Sequence, residues 1–234
     1  MGVASLRRGQ GVALAILCLV STTAARAQWS VSAAADSDYR FRGVSLSESG
    51  ATLQIALNYD APNRCYGGAS ARRVELARGD PYALLLGYAG CVVRAEGGRD
   101  VELGATLSHF TGDSSYDFAE VYVGLLAAPW VARLHLAPDY FGRHVSTAYA
   151  ELDSYLSLND SFRLSGHVGA ISRIAGRHDN GESRTRFDLR LGAGWVLREL
   201  ELQVAWVAAN HGGPYPAVYD RRRAAWVAGA SYAF

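Results

Sequence analysis

After residue 27 the sequence alternates apolar and polar side chains in segments of about ten residues. Within residues 185–196, for example, Phe187 and Leu189 alternate with Arg186 and Asp188. Neighbouring side chains of a strand point to opposite faces, so this segment has one apolar and one charged face. Helical spacing would scatter the charges onto the apolar side. The pattern therefore predicts β-strands along the whole mature chain.

Roughly twelve such segments follow one another, separated by breaks rich in Gly, Asp, Asn, Pro or Ser. They lie near residues 29–42, 51–60, 65–74, 82–93, 101–110, 118–127, 131–139, 147–157, 161–171, 185–196, 199–209 and 223–234. Short connections such as 60–64 alternate with longer polar ones such as 172–184. Even strand numbers, short periplasmic turns and longer external loops are typical of outer-membrane proteins. We predict an all-β fold, a transmembrane antiparallel up-and-down β-barrel of about 12 strands, with both chain ends in the periplasm.

The start of the chain has the features of an export signal. Two adjacent arginines precede an apolar run over residues 12–20, and small residues follow at 25–27. This run is too short to cross a bilayer as a helix, which takes roughly 20 residues. We expect residues 1–27 to be a cleaved signal peptide and residues 28–234 to form the barrel. No mature segment is apolar over the length of a transmembrane helix, so a membrane-spanning form of this chain has to be a closed sheet.

The last segment has aromatic residues on one face. Trp226, Tyr232 and Phe234 share that face, and the sequence ends at Phe234. This arrangement resembles the C-terminal signal by which outer-membrane proteins are recognised for assembly, although an ordinary final strand would also fit. The expected partners are outer-membrane lipid and, through this strand, the barrel-assembly machinery.

Composition and motifs exclude several function classes. All 23 basic residues are arginines, and they nearly balance 22 acidic residues, so no nucleic-acid partner is indicated. The six histidines form no metal-binding spacing, and no phosphate-binding or dinucleotide-binding glycine motif is present. We therefore expect neither a metal nor a cofactor.

The most specific motif is Ser37-Asp38-Tyr39-Arg40-Phe41-Arg42-Gly43, with Ser45, Ser47 and Leu53-Gln54 after it. Shorter pieces accompany it at Tyr66-Gly67-Gly68, Tyr88-Ala89-Gly90, Pro138-Asp139-Tyr140-Phe141-Gly142 and His167-Val168-Gly169. With these residues the mature chain resembles the TorF-type porins of Gram-negative bacteria. The resemblance implies a signal peptide and a barrel in the bacterial outer membrane, and it implies little about the substrate. Cys65 and the run Arg221-Arg222-Arg223 depart from the family's pattern.

If the apolar faces meet lipid, the polar faces line the lumen. The candidate pore-lining residues are Asp36, Asp38, Arg40, Arg42, Gln54, Glu102, Glu120, Arg133, His135, Glu151, Asp153, Arg163, His167, Arg186, Asp188, Arg190 and Glu201. Either these charges line a hydrated passage, or they pair across the lumen and close it. A twelve-strand barrel lies between the filled eight-strand size and the open sixteen-strand size, so strand number does not decide.

We expect a non-enzymatic, porin-like channel for passive passage of small polar solutes or ions. A closed structural or binding barrel is one alternative. An outer-membrane hydrolase is another, since His144 and Ser146 are two residues apart and would share a face of a strand. No third orienting group for such a pair is identifiable from the sequence.

Two cysteines remain after removal of the signal peptide and would meet an oxidising periplasm. Cys65 and Cys91 lie on consecutive segments, both thirteen residues from Arg78. In a symmetric hairpin they would face each other, which predicts a cross-strand disulfide near the periplasmic end. A one-residue change of register would leave two free thiols instead.

Overall fold

We describe residues 28–76, 81–95, 97, 99–176, 184–215 and 223–234 of a computed structural model. The strands are β1 Gln28–Asp36, β2 Arg40–Phe41, β3 Val44–Ser45, β4 Thr52–Asp60, β5 Cys65–Val74, β6 Tyr82–Arg94, β7 Asp100–Phe110, β8 Phe118–Ala127, β9 Trp130–Ala137, β10 Val145–Ser157, β11 Phe162–Gly176, β12 Thr185–Leu197, β13 Leu200–Ala209 and β14 Ala224–Ala233. Short 3-10 turns span Ser114–Tyr116 and Tyr140–Gly142. Within the described ranges no helix has the length and apolar character needed to span a membrane.

Twelve of these strands form one closed antiparallel barrel, so the predicted fold is confirmed. Each barrel strand pairs with its neighbours in sequence, β1 pairs with β4, and β14 closes the circle on β1. The short strands β2 and β3 form a separate hairpin between β1 and β4. The signal peptide predicted for residues 1–27 lies outside the described residues.

Most strand bounds agree with the alternation to within one or two residues, and two differ more. The first strand ends at Asp36 and not near residue 42, because the chain turns away from the barrel wall there. Strand β11 continues to Gly176, five residues beyond the predicted end. Apolar residues such as Ile174 extend the outward face of β11 through this region.

The register places apolar side chains outward and polar side chains inward. On β4, Leu53 is 67% exposed, whereas Gln54 is 5% exposed. Large apolar residues such as Leu107 and Phe187 are likewise exposed on the outer face of their strands. In a lipid environment this outer surface is favourable, and the backbone groups of the closed sheet are satisfied by the ladders.

The two ends of the barrel differ. Short turns follow β4, β6, β8, β10 and β12, and we call this the short-turn end. Longer connections follow β1, β5, β7, β9, β11 and β13 at the long-loop end. A buried apolar cluster fills the lumen at the long-loop end and includes Leu46, Phe110, Phe118, Tyr140 and Phe141. The hydrophobic core therefore lies inside the barrel.

Candidate functional site in the lumen

Residues 37–50, which we call the lumenal hairpin, cross the lumen from β1 to the opposite wall. Arg42 at the tip donates from Nη1 and Nη2 to the two carboxylate oxygens of Glu120, both at 2.8 Å. Glu120 is on β8, which is five strands from β1 in a barrel of twelve. The hairpin thus reaches almost directly across the barrel, and one bidentate ion pair joins it to the far wall.

Aromatic rings surround the guanidinium of Arg42. Its central carbon lies 4.1 Å from the ring centre of Tyr149, 4.8 Å from that of Phe41 and 5.4 Å from that of Tyr140. Burial alone would lower the pKa of Arg42, but the Glu120 carboxylate outweighs it, and the pKa is raised well above its ordinary value. Arg42 therefore stays charged, and it is held by cation–π and ionic contacts together.

Contacts around Asp38 hold the hairpin in shape. The Asp38 carboxylate accepts from Arg40 Nε at 2.7 Å, Ser45 Oγ at 2.5 Å and Ser47 Oγ at 3.1 Å. Gly43 has φ +75°, and a Cβ there would lie 2.9 Å from that of Asp188 on β12. The tip needs glycine both for its left-handed backbone and for its close approach to the wall.

Aromatic side chains cover the hairpin from the long-loop side. The ring of Phe141 stacks on that of Phe118 with 4.8 Å between centres. The hydroxyls of Tyr140 and Tyr215 are hydrogen-bonded at 2.7 Å. Gly142 has φ +59° and packs directly against the Ser115 carbonyl, leaving no room for a side chain. The described residues of the loops after β7, β9 and β13 thus pack together over the hairpin at the long-loop end.

A second network joins strands on the β5 to β9 side of the wall. Arg133 Nε donates to Glu102 at 2.7 Å, and the Tyr66 hydroxyl donates to the same carboxylate. The hydroxyls of Tyr66 and Tyr122 are 2.6 Å apart. Glu102 has no exposed surface. These contacts connect four strands across the interior and stiffen this side of the barrel.

A histidine network occupies the middle of the lumen. His167 Nδ1 lies 2.8 Å from Asp153 Oδ1, and its Nε2 lies 2.9 Å from Asp188 Oδ1. The Tyr149 hydroxyl is also 2.9 Å from Nε2. Nearby, His135 Nε2 on β9 is 3.1 Å from Glu151 Oε1 on β10. Tyr149 therefore contacts this network through its hydroxyl and Arg42 through its ring.

The short-turn half of the lumen is more open on the β10 to β14 side, and we call it the vestibule. Its half-buried lining comprises Arg163, Ser165, Arg190, Gly192, Gly194, Glu201 and Gln203. Arg163 and Glu201 form a loose ion pair at 3.7 Å, and Arg190 donates to the Gln203 side-chain oxygen at 2.9 Å. The glycines of β12 are covered by neighbouring side chains: a Cβ at Gly192 would lie 2.6 Å from Ser165 Oγ, and one at Gly194 would lie 2.8 Å from Glu201 Oε1.

Comparison with known sequences identifies the family. The profile of a family described as a bacterial protein of unknown function (Gcw_chp) matches residues 21–233. The chain belongs to this family. A comparison with curated protein sequences gives no match.

Solved structures of two porins have a similar fold. A KdgM porin aligns with a TM-score of 0.55 and 10% identity over 88% of this chain and 99% of its own. A NanC porin aligns with a TM-score of 0.60 and 9% identity over 86% of this chain and 98% of its own. The KdgM porin was also solved in complex with disordered oligogalacturonate, and that structure aligns with a TM-score of 0.55 at 8% identity, over 88% of this chain and 99% of its own. At these identities the likeness extends to the fold of this Gcw_chp member and no further.

In this Gcw_chp barrel the candidate pore-lining residues all lie on the lumenal side, some on barrel strands and some on the lumenal hairpin. Fourteen are on inward-facing positions of the barrel strands, namely Asp36, Gln54, Glu102, Glu120, Arg133, His135, Glu151, Asp153, Arg163, His167, Arg186, Asp188, Arg190 and Glu201. Asp38, Arg40 and Arg42 are not on a continued first strand, as the alternation predicts, but on the lumenal hairpin. They reach the interior because the chain folds inward after Asp36.

Several lumenal residues were not among the sequence candidates. Tyr66, Tyr122 and Tyr149 occupy inward positions, which the alternation alone could have shown once tyrosine is counted as polar. Arg72 pairs with Asp36 at 2.6 Å on a strand whose alternation is weak. Tyr140 and Tyr215 come from loops, and no periodic signal places them.

The residues considered for hydrolysis do not act on each other. Ser146 Oγ donates to the Pro138 carbonyl at 2.9 Å. His144 precedes β10 with an exposed side chain, and its Nδ1 is 3.3 Å from Asp139 Oδ2. A nucleophile and base would need to share a hydrogen bond, and here each has another partner.

Cys65 on β5 and Cys91 on β6 are directly opposite each other in the register. Their sulfurs are bonded, at 2.04 Å. Both side chains point to the outer face of the barrel, close to the short turn at Arg64.

Proposed function

We propose that this protein is a porin-like channel of the bacterial outer membrane for passive passage of small polar solutes or ions, held closed here by the lumenal hairpin. The fold shared with porins and the outward apolar surface support a membrane barrel. The charged interior supports polar cargo. The resemblance to TorF-type porins points the same way and remains a prediction.

One observation carries the proposal: the lumenal hairpin, which belongs to no barrel strand, crosses the lumen between β1 and β4. The lumenal hairpin is joined to the far wall through the Arg42–Glu120 ion pair and packing, without a covalent link. On the short-turn side of the hairpin, the residues that line the vestibule are small or charged, and they are half-buried. Moving the hairpin aside, together with the loop residues Tyr140, Phe141 and Tyr215 that cover it, would join the vestibule to the long-loop end.

A closed structural barrel is the second candidate, and dense packing in the long-loop half favours it. Tyr140, Phe141 and Tyr149 are almost completely buried there. In that case the internal ion pairs serve stability alone. We propose no catalytic function, because Ser146 and His144 have other partners.

The test is conductance of the purified mature protein in planar bilayers, compared with a variant in which residues 38–49 are replaced by a short Gly/Ser linker. We expect rare, brief openings of the parent and long-lived openings of the linker variant. Liposome swelling with sugars of increasing size would then give the size limit. If both proteins are silent while both show the heat-modifiable gel shift of a folded barrel, the closed structural barrel is the correct alternative.

A further inference from the structure

Three carboxylates in the middle of the lumen, those of Glu151, Asp153 and Asp188, face histidines where the other lumenal carboxylates face arginines. The lumenal carboxylates that face an arginine within 4.0 Å are Asp36, Asp38, Glu102, Glu120 and Glu201. Glu151, Asp153 and Asp188 instead face imidazoles, at 3.1, 2.8 and 2.9 Å, and Asp188 also accepts from the Tyr149 hydroxyl at 3.3 Å. A carboxylate out of water needs a counter-charge. This part of the lumen therefore favours an additional cation.

The same place brings metal-ligand atoms together. One ligand atom each from Glu151, Asp153 and His167 can be chosen so that all lie within 4.8 Å of one another. Asp153 on β10 is directly opposite His167 on β11, and Glu151 is the next inward residue on β10. Adjacent strands of a closed sheet hold these donors in fixed register, so little ordering would be needed for binding.

Neighbouring groups already orient two of these donors as they do in known metal sites. His167 Nε2 is 2.9 Å from Asp188 Oδ1, which leaves Nδ1 on the side of Asp153. Glu151 Oε1 is 3.1 Å from His135 Nε2. Histidine ligands usually donate their second ring N–H to a carboxylate, and ligating carboxylates are themselves hydrogen-bonded.

We propose that Glu151, Asp153 and His167 Nδ1 bind one divalent transition-metal cation, with Asp188 and His135 as positioning residues. One imidazole and two carboxylates suit zinc and its neighbours better than magnesium or calcium, which prefer oxygen ligands alone. Zinc bonds to such atoms are about 2.0–2.2 Å long, so small side-chain rotations would close the present set around one ion. Binding requires Nδ1 without a proton, so any proton it shares with Asp153 is released to solvent.

The test is calorimetric titration of the purified, metal-free barrel in detergent with ZnCl₂. We expect one zinc ion per chain, with proton release detected as a dependence of the heat on buffer ionisation. X-ray absorption of the zinc complex should show nitrogen and oxygen neighbours with one imidazole and no sulfur. His167→Gln and Asp153→Asn should weaken binding at least about tenfold, and Asp188→Asn about ten- to a hundredfold.

His109→Gln is the matched control, because His109 also pairs with a carboxylate, Asp117 at 2.5 Å, but lies exposed on the outer face. Its zinc affinity should equal that of the parent. The proposal is overturned if the parent binds no zinc at millimolar concentration, which would mean that protonated His167 alone compensates Asp153 and Asp188. Equal weakening by His109→Gln, or unchanged binding by Asp153→Asn, also overturns it. If His167→Gln does not fold, Asp153→Asn and the absorption spectrum of the parent still decide. The readout is binding, so the result is independent of whether the barrel conducts.

Discussion

Substitution of Arg42 by alanine is the most direct perturbation of the proposed closed state. It removes the guanidinium that joins the lumenal hairpin to Glu120 and packs on the Tyr149 ring. Glu120 would then be a buried carboxylate that has lost its arginine partner, with His135 Nδ1 4.0 Å away. Water can reach Glu120 if the hairpin moves away. The substitution therefore favours the open arrangement both by removing an attachment and by leaving a charge to be hydrated.

The size of the effect follows from the burial of the pair. The two side chains are only 5% and 4% exposed, so solvent screening is slight. Removing one partner of a buried ion pair costs about 3–5 kcal/mol, and loss of a desolvated cation–π contact adds up to about 2 kcal/mol. When the hairpin moves away, water hydrates the Glu120 carboxylate and offsets part of this free-energy cost. We therefore use the lower end of the range for the ion pair. About 3 kcal/mol corresponds to a change of roughly a hundredfold in the ratio of open to closed forms.

Single-channel recording measures that ratio as the fraction of time spent open. We expect Arg42→Ala to raise it roughly a hundredfold over the parent, and Glu120→Gln to act in the same direction because it leaves Arg42 unpaired. The double variant should show less than the sum of the two effects. Arg163→Ala is the control, since its 3.7 Å pair with Glu201 is partly exposed and should contribute less than about 1 kcal/mol. An unchanged open fraction in Arg42→Ala, with the barrel still folded, would refute the reasoning.

Three further predictions concern the disulfide, the orientation and the lumenal charge. Unreduced, unfolded mature protein should react with no thiol reagent and reduced protein with two equivalents, because Cys65 and Cys91 are bonded; two reactive thiols before reduction would contradict this. In a background carrying Cys65→Ser and Cys91→Ser, the Asp113→Cys variant, in the loop after β7, should be labelled on intact cells, and the Asn63→Cys variant should not; the reverse result would invert the topology. In the Arg42→Ala background, Arg190→Ala should shift ion selectivity toward cations and Glu201→Ala toward anions, measured as reversal potentials; shifts of the same sign would exclude an electrostatic role for the vestibule.

The fold could be predicted from the sequence because a barrel repeats one simple rule. Each strand must expose an apolar face to lipid and a polar face to the lumen. Apolar and polar residues therefore alternate along segments such as Thr185–Leu197. The same rule placed the acidic and basic candidates of the strands on the inner surface. The register between Cys65 and Cys91 is that of the symmetric hairpin. The weak alternation of residues 65–74 did not by itself exclude a one-residue shift.

The arrangement inside the lumen could not be predicted, because alternation gives the face of a residue and not its partner. Glu102 on β7 and Arg133 on β9 lie on either side of Gly124 on β8, and they meet because this glycine has no side chain between them. Likewise, Asp153 and His167 have no metal-binding spacing along the chain, since they come together through the register of β10 and β11. Loop residues such as Tyr140 carry no period at all.

The lumenal hairpin is the segment for which the alternation predicts the wrong structure. This changes the interpretation of the motif at residues 37–43. Asp38, Arg40 and Arg42 alternate with Tyr39 and Phe41, which is the pattern of a continued strand. Had β1 continued, Tyr39 and Phe41 would face lipid, and the three charged residues would lie on the near wall. Instead both rings pack inside the barrel, and Arg42 reaches β8. The glycine at position 43, with φ +75°, permits the tight turn that returns the chain.

A motif that formed only part of the barrel wall would need one apolar and one polar face, which many residue combinations supply. A segment that crosses the lumen needs Arg42 opposite Glu120, and a glycine at position 43, where the chain packs against β12 and β13. The residue types at positions 38–43 are therefore better explained by their contacts inside the lumen than by a place in the barrel wall.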